Sequence, residues 1–134
     1  MSIQLSIATI APWILRIVAA VIMLQTLYFK FSGADESVYI FSRLGMEPWG
    51  RIGTAVFELL AAMLILYPKT TFFGSALAIG LMSGAIVAHI TKLGIVVKND
   101  GGQLFIYALL VFISSFILAI IYRNDGINLI KRII

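Results

Sequence analysis

The sequence contains no cysteine, one histidine and three prolines, and only 12% of its 134 residues are charged. Without cysteine, the chain alone forms no disulfide, thiol relay, iron–sulfur cluster or cysteine-ligated zinc site. A soluble domain of ordinary composition carries about 25% charged residues. The sequence therefore excludes thiol chemistry within this chain and has too few charges to cover a soluble surface.

Apolar residues are what the sequence has in excess. They make up 61% of the chain, and the mean hydropathy is +1.05. The chain has ten Lys and Arg residues and six Asp and Glu residues, which gives a net charge of +4. The basic residues are spread over short connections rather than gathered in one basic run. A nucleic-acid partner is not indicated, and the expected surroundings are a lipid bilayer.

Four segments are long and apolar enough to cross a bilayer, whose core of about 30 Å requires about 20 residues of helix. They span residues 12–31, 49–67, 71–93 and 102–122. Pro12 suits an opening helical turn, Pro48 and Pro68 bound the second segment, and Gly94 suits the end of the third. We predict an all-α integral membrane protein, a four-transmembrane-helix bundle, with residues 1–134 in one domain.

Four spans place both termini and the turn at residues 68–70 on one side, which we name the terminal face. The connections at 32–48 and 94–101 lie on the other side, the loop face. The longer connection mixes apolar and charged residues, so we expect either a short interfacial helix or an ordered loop that caps the bundle. Lys and Arg are divided five to five between the faces, so the positive-inside count does not orient the chain; the basic C-terminal tail favours cytoplasmic termini.

Polar side chains converge on the half of the bundle nearer the loop face. Glu58 falls near the middle of the second span, where a carboxylate needs partners inside the bundle, and His89 falls in the last turns of the third. We expect Glu58 to face the interior beside His89, Arg51 or Gln25. The seven residues predicted to form a shared ligand site are Gln25, Lys30, Arg51, Glu58, His89, Lys92 and Gln103.

Two interpretations of this convergence stay open. Interior polar groups also hold membrane helices together through hydrogen bonds worth about 0.6 kcal/mol each on average. This structural role is enough to explain Gln25 and Gln103. Ionisable groups at depth are costly to keep for packing alone, which favours a functional site at Glu58 and His89. One histidine without cysteine or clustered carboxylates makes a poor metal site, so we predict no metal.

Small residues recur every four positions along the third span. They are Ala76, Gly80, Gly84 and Ala88. Such a row lets another helix backbone approach closely. We expect helix packing along it, either within the chain or between two copies in a homo-oligomer.

Several of these residues resemble a known pattern. Arg16 lies early in the first helix and Lys30 at its end, Leu44 to Pro48 read LGMEP, and Glu58 and His89 follow. From about Leu15 to Tyr122 the chain resembles the DoxX-like family. The resemblance implies a four-helix membrane bundle; a related protein, DoxD, belongs to a thiosulfate:quinone oxidoreductase, and some DoxX proteins associate with membrane redox complexes. It implies no catalytic residue set.

The sequence leaves three functions to distinguish. The first is an accessory subunit of a membrane redox system, in the cytoplasmic (inner) membrane, whose polar half-cavity binds a quinone or another small lipophilic molecule. The second is an interaction or assembly factor without catalytic activity. The third is a small transporter, which four short spans without broken helices favour least. We expect that the chain is not an enzyme on its own.

Overall fold

The computed structural model describes the backbone of residues 3–134 and the side chains from Ala8 onward. It contains six α-helices: α1 (Ile3–Ser32), α2 (Asp35–Arg43), α3 (Trp49–Leu66), α4 (Thr71–Ala88), α5 (Gln103–Ile121) and α6 (Arg123–Ile133). A 3₁₀ turn, Pro68–Thr70, joins α3 to α4, and a π-helical turn, His89–Leu93, continues α4. No strand occurs within the described residues.

Four of these helices form a membrane-spanning bundle, as predicted. The spans are Ala8–Ser32, Trp49–Leu66, Pro68–Leu93 and Gln103–Ile121. Helices α1 and α4 each pack against both α3 and α5, so the four form a ring with α1 and α4 on a diagonal. The short α2 packs against α1, α3 and the π-helical turn, and α6 packs against α4 and the 3₁₀ turn.

The residues of α1 show how the bundle divides its surface between lipid and core. Ile10, Ile14, Ile17 and Val21 follow helical spacing on one face, and each is about half exposed. Ala19, Ala20 and Met23 on the opposite face are buried. Large apolar residues therefore face the acyl chains, whereas small ones let the helix backbones approach one another.

The helices differ from the sequence prediction in two respects. Helix α1 begins at Ile3, so Pro12 lies inside the helix rather than in its opening turn. This prediction was wrong because a proline removes one backbone hydrogen bond, and a helix in apolar surroundings can continue past that loss. Helix α6 follows Tyr122 directly and was not predicted at all. The helical end at Gly94 is confirmed: Gly94 has a φ of +80°, and its N–H donates to the carbonyl of His89 at 2.7 Å.

The connection at 32–48 combines both expected forms. It contains a helix, α2, and this helix caps the loop-face end of the bundle, with Ser37 and Phe41 buried. Arg43 Nη2 donates to the carbonyl of Lys92 at 3.2 Å, which joins α2 to the end of the third span.

Helices α3 and α4 lie close together at Gly74. A Cβ placed there would lie 2.6 Å from the backbone nitrogen of Ile65, 2.8 Å from Leu64 Cβ and 2.9 Å from the carbonyl oxygen of Ala61. These are backbone and Cβ atoms that no side-chain rotation can move aside. The row of small residues that the sequence suggested as a packing surface on α4 does not include Gly74, the glycine on which the packing of α3 against α4 depends.

Arg16 is the most deeply buried charged side chain of the described residues, at 1% exposure. Its Nε donates to the carbonyl of Ile65 at 2.9 Å, and Nη2 donates to the carbonyl of Leu66. Its Cζ lies 3.7 Å from the ring centroid of Trp13. Because the last carbonyls of a helix have no partner within the helix and carry partial negative charge, Arg16 caps the C-terminal end of α3 from a neighbouring helix.

Replacing Arg16 with Met should lower the free energy of unfolding by about 1–3 kcal/mol, the cost of a buried acceptor without a partner. Thr71 Oγ1 lies 2.9 Å from the Ile65 carbonyl and 3.0 Å from the Tyr67 carbonyl. Ile65 therefore keeps a donor that it shares with Tyr67, whereas the Leu66 carbonyl loses the donor that Arg16 supplied. Thermal and denaturant unfolding in mild detergent measure the effect, with Ile17→Met on the lipid face as the control. An Arg16→Met protein as stable as the wild type would show that the arginine is not a helix cap.

Candidate ligand-binding cavity

A partly open cavity of about 640 Å³ occupies the half of the bundle nearer the loop face. Its walls come from α1, α4 and α5, with Thr54 and Glu58 contributed by α3, and α2 covers it from the loop face. Most of the lining is apolar, including Met23, Phe41 and Val111. A mostly apolar chamber with a few polar groups is the usual form of a small-molecule site.

Glu58 is buried in this cavity wall and forms an ion pair with Lys30. Lys30 Nζ lies 2.7 Å from Oε1 and 2.8 Å from Oε2 of Glu58, with side-chain exposures of 16% for Lys30 and 4% for Glu58. Thr26 Oγ1 is 3.3 Å from Oε2, but it is also 2.9 Å from the Met23 carbonyl, and its single proton serves one acceptor at a time. Glu58 thus faces the interior as expected, whereas its partner differs from the three candidates named from the sequence.

Arg51 is the predicted site residue that the structure places elsewhere. Its guanidinium pairs with Glu47, with Nε 2.9 Å from Oε1 and 3.0 Å from Oε2, and Nη1 donates to the carbonyl of Lys30. It does not line the cavity. The suggested link from Arg51 to Glu58 was wrong because the guanidinium pairs instead with Glu47, which lies in the turn just before α3. Arg51 instead holds the beginning of α3 against the end of α1.

His89 is buried in the π-helical turn and lines the cavity. Its Nδ1 lies 3.0 Å from the carbonyl oxygen of Gly94. Because a carbonyl oxygen only accepts, Nδ1 must carry the proton, and Nε2 of the neutral ring is then an acceptor. Its ring centroid is 5.6 Å from that of Phe105. No hydrogen bond from the described part of the chain reaches Nε2, so this atom is available to a ligand.

The other three predicted residues line the cavity at its margin. Gln25, Lys92 and Gln103 are all exposed. The amide of Gln103 donates to the Tyr107 hydroxyl at 2.9 Å. The structure therefore brings six of the seven residues to one cavity, with Lys30, Glu58 and His89 inside and the three exposed residues at its edge.

Sequence reasoning missed Glu36, which lies on α2 and lines the cavity. Its Oε1 is buried and has no hydrogen-bond partner among the described residues. A buried acceptor without a partner is costly. The pattern of the 32–48 connection predicted a helix at the surface, but it did not show which of its acidic residues would turn inward.

The row of small residues on α4 borders the cavity instead of packing against another helix of the chain. Gly80, Gly84 and Ala88 line it, and Ala76 is exposed. A Cβ on Gly80 or Gly84 would meet no heavy atom of the described chain within 4 Å. The expectation of packing within the chain was therefore wrong: these glycines withhold side chains and so contribute volume to the cavity. Packing between two copies stays a prediction.

Asp100 organises the loop that leads from His89 into α5. Its Oδ1 accepts from the N–H groups of Val97 at 3.0 Å and Gly102 at 2.8 Å, and its Oδ2 accepts from that of Leu104 at 3.3 Å. Partial burial acts to raise the pKa of Asp100, but these three hydrogen bonds outweigh it and hold the pKa below its ordinary value of 3.8. The carboxylate thus caps the beginning of α5 in its ionised form.

The chain was compared with known protein families. Residues 14–117 match the family described as DoxX-like, which spans all four membrane helices in part or whole and includes Lys30, Glu58 and His89. No curated protein and no solved structure matches the chain.

Proposed function

Because the chain belongs to the DoxX-like family of membrane proteins, and because polar groups from α1, α2, α3 and the end of α4 meet in one largely apolar cavity, we propose that it binds a small lipophilic molecule with a polar head, such as a quinone. The observation that carries the proposal is the set of Lys30, Glu58 and His89, the last two of them buried, around a chamber of about 640 Å³. That volume lies within the range of about 300–1,000 Å³ typical of ligand pockets.

The polar groups of the cavity complement both forms of a quinone. The Lys30 ammonium has three N–H donors, and the two contacts to Glu58 leave one for a carbonyl oxygen. Glu36 Oε1 and His89 Nε2 are acceptors that a quinol hydroxyl would satisfy. The Leu, Met and Phe side chains of the wall suit an apolar tail.

The role that fits this binding is that of an accessory subunit in a membrane redox system of the cytoplasmic membrane. The sequence has no cysteine, so thiol-based electron transfer would have to be supplied by another protein. Nearly all of the chain lies in spans or short helices next to them. A redox partner would supply or accept electrons, and this chain would hold the quinone and exchange protons with it through His89 and Glu36.

Titration of purified protein in mild detergent with a short-chain benzoquinone and its quinol tests the proposal. Gly84→Leu places a side chain in the cavity at a position with open space, so it should weaken binding about tenfold or more, a loss of about 1.4 kcal/mol, without unfolding the bundle. Gly53→Leu is the matched control, because a Cβ on Gly53 meets no described atom within 4 Å and Gly53 lies outside the cavity lining. His89→Ala should also weaken binding.

Saturable binding that is weakened by Gly84→Leu and His89→Ala, and preserved in Gly53→Leu, supports the proposal. Absence of saturable binding in the wild type would refute it. Reproducible co-purification of one membrane partner in that case would favour the assembly role.

A further inference from the structure

Helix α6 is an amphipathic helix with three distinct sides. Asn124, Asp125, Asn128, Lys131 and Arg132 share one side by helical spacing. Gly126 is buried and faces the bundle. Between these sides lie Arg123 in the first turn, then Ile127 and Ile130, which are 47% and 40% exposed, followed by Ile134 at the chain end. These isoleucines lie between the side that faces the bundle and the polar side, and they are exposed. Exposed isoleucines grouped in this way favour an apolar environment.

The bundle fixes the position of α6. A Cβ on Gly126 would overlap the ring of Phe72 in α4, so only glycine permits this close approach. The helix begins at Arg123, directly after the fourth span ends at Ile121. It therefore lies at the terminal face, at the depth where the spans leave the hydrocarbon core.

The net charge of the molecule resides on that same face. The terminal face has five basic residues and one acid, whereas the loop face has five of each. Two loop-face cations, Lys30 and Arg51, are also held in ion pairs. Arg123, Lys131 and Arg132 of α6, together with Lys69 in the adjacent turn, are exposed. The surface around α6 is thus basic, whereas the loop face has equal numbers of basic and acidic residues.

We infer that α6 docks into the interface of an anionic bilayer, with Ile127, Ile130 and Ile134 among the acyl chains and its basic residues on lipid phosphates. Apolar residues on one side and Lys or Arg on the other are what such interfacial helices require. Anionic lipids concentrate in the cytoplasmic leaflet, so this contact orients the termini towards the cytoplasm, a choice that the tied count of basic residues left open.

Because the chain has no native cysteine, single-cysteine reporters test this inference in the full-length protein. An environment-sensitive fluorophore is attached at Ile130→Cys, or at Asn128→Cys on the polar side of the same helix, and the protein is placed in phosphatidylcholine vesicles containing phosphatidylglycerol. Lipids brominated on their acyl chains should quench the probe at position 130, and aqueous iodide should quench the probe at 128. Equal quenching at the two positions would overturn the docked orientation.

A lipid titration tests the anionic preference. Phosphatidylglycerol added to the detergent-solubilised Ile130→Cys protein should shift the probe into an apolar environment at a lower concentration than phosphatidylcholine does. Each basic residue near an anionic surface is worth roughly fivefold in affinity, so Lys131→Gln with Arg132→Gln should reduce the preference by at least an order of magnitude. Arg43→Gln with Lys98→Gln, on the balanced loop face and outside the cavity lining, should leave it unchanged. The same half-saturation for both lipids would contradict the anionic contact.

Discussion

Replacing Lys30 with Met is expected to lower the free energy of unfolding by about 3–5 kcal/mol, because removal of one partner leaves a buried charge without compensation. Glu58 is 4% exposed as a side chain and has no other cationic partner among the described residues. Its side chain is also too short to reach the membrane surface from the middle of α3. Denaturant unfolding in mild detergent provides the measurement.

The reverse change, Glu58→Leu, should cost less. Lys30 lies two residues before the end of α1 and keeps 16% exposure, so its long side chain can turn its ammonium towards the interface. The double variant Lys30→Met with Glu58→Leu should recover most of the lost stability, since it leaves neither charge unpaired. If Lys30→Met and the double variant were equally unstable, the loss would come from packing rather than from an orphaned charge.

Replacing Gly74 with Ala is expected to lower the free energy of unfolding by about 3 kcal/mol or more, at the upper end of overpacking costs. The added Cβ would lie 2.6 Å from the backbone nitrogen of Ile65 and 2.9 Å from the carbonyl oxygen of Ala61, so α3 and α4 would have to separate. The gain of about 1 kcal/mol in helix propensity from Gly to Ala is too small to offset this. Thermal unfolding in detergent gives the comparison.

Gly84→Ala is the matched control for that substitution. It lies on the same helix and makes the same chemical change, but its Cβ enters open space. We expect its stability to equal or slightly exceed that of the wild type. Equal losses at Gly74 and Gly84 would mean that the helices do not cross as described.

The spans were predictable because crossing a bilayer depends on the length and apolarity of a segment, and both can be read along the chain. Helix α3, at Trp49–Leu66, lies within one residue of the expected 49–67. The beginning of α1 was not predictable from Pro12, because helix initiation before a proline depends on its surroundings. Helix α6 left a signal in the spacing of Ile127, Ile130 and Ile134, but its charged residues suggested a free tail.

The contents of the cavity were only partly predictable. Depth along a helix follows from residue number, so the convergence of Glu58, His89 and Lys30 on one half of the bundle could be anticipated. The pairing of Glu58 with Lys30 depends on the rotation of α1 against α3, which sequence spacing does not define. The pairing of Arg51 with Glu47 could not be read from helical spacing, because Glu47 lies in the turn before α3 begins.

The Asp100 cap has a consequence for the response of the protein to acid. Because the folded pKa of this carboxyl lies below its ordinary value of 3.8, its stabilising contribution is complete above that ordinary value and disappears only as the pH falls through the lowered one. The loop that presents His89 and opens α5 therefore keeps its hydrogen bonds throughout neutral and mildly acidic conditions. A proton taken up or released elsewhere in the bundle in that range leaves Asp100 ionised, so the end of the third span and the beginning of α5 stay joined.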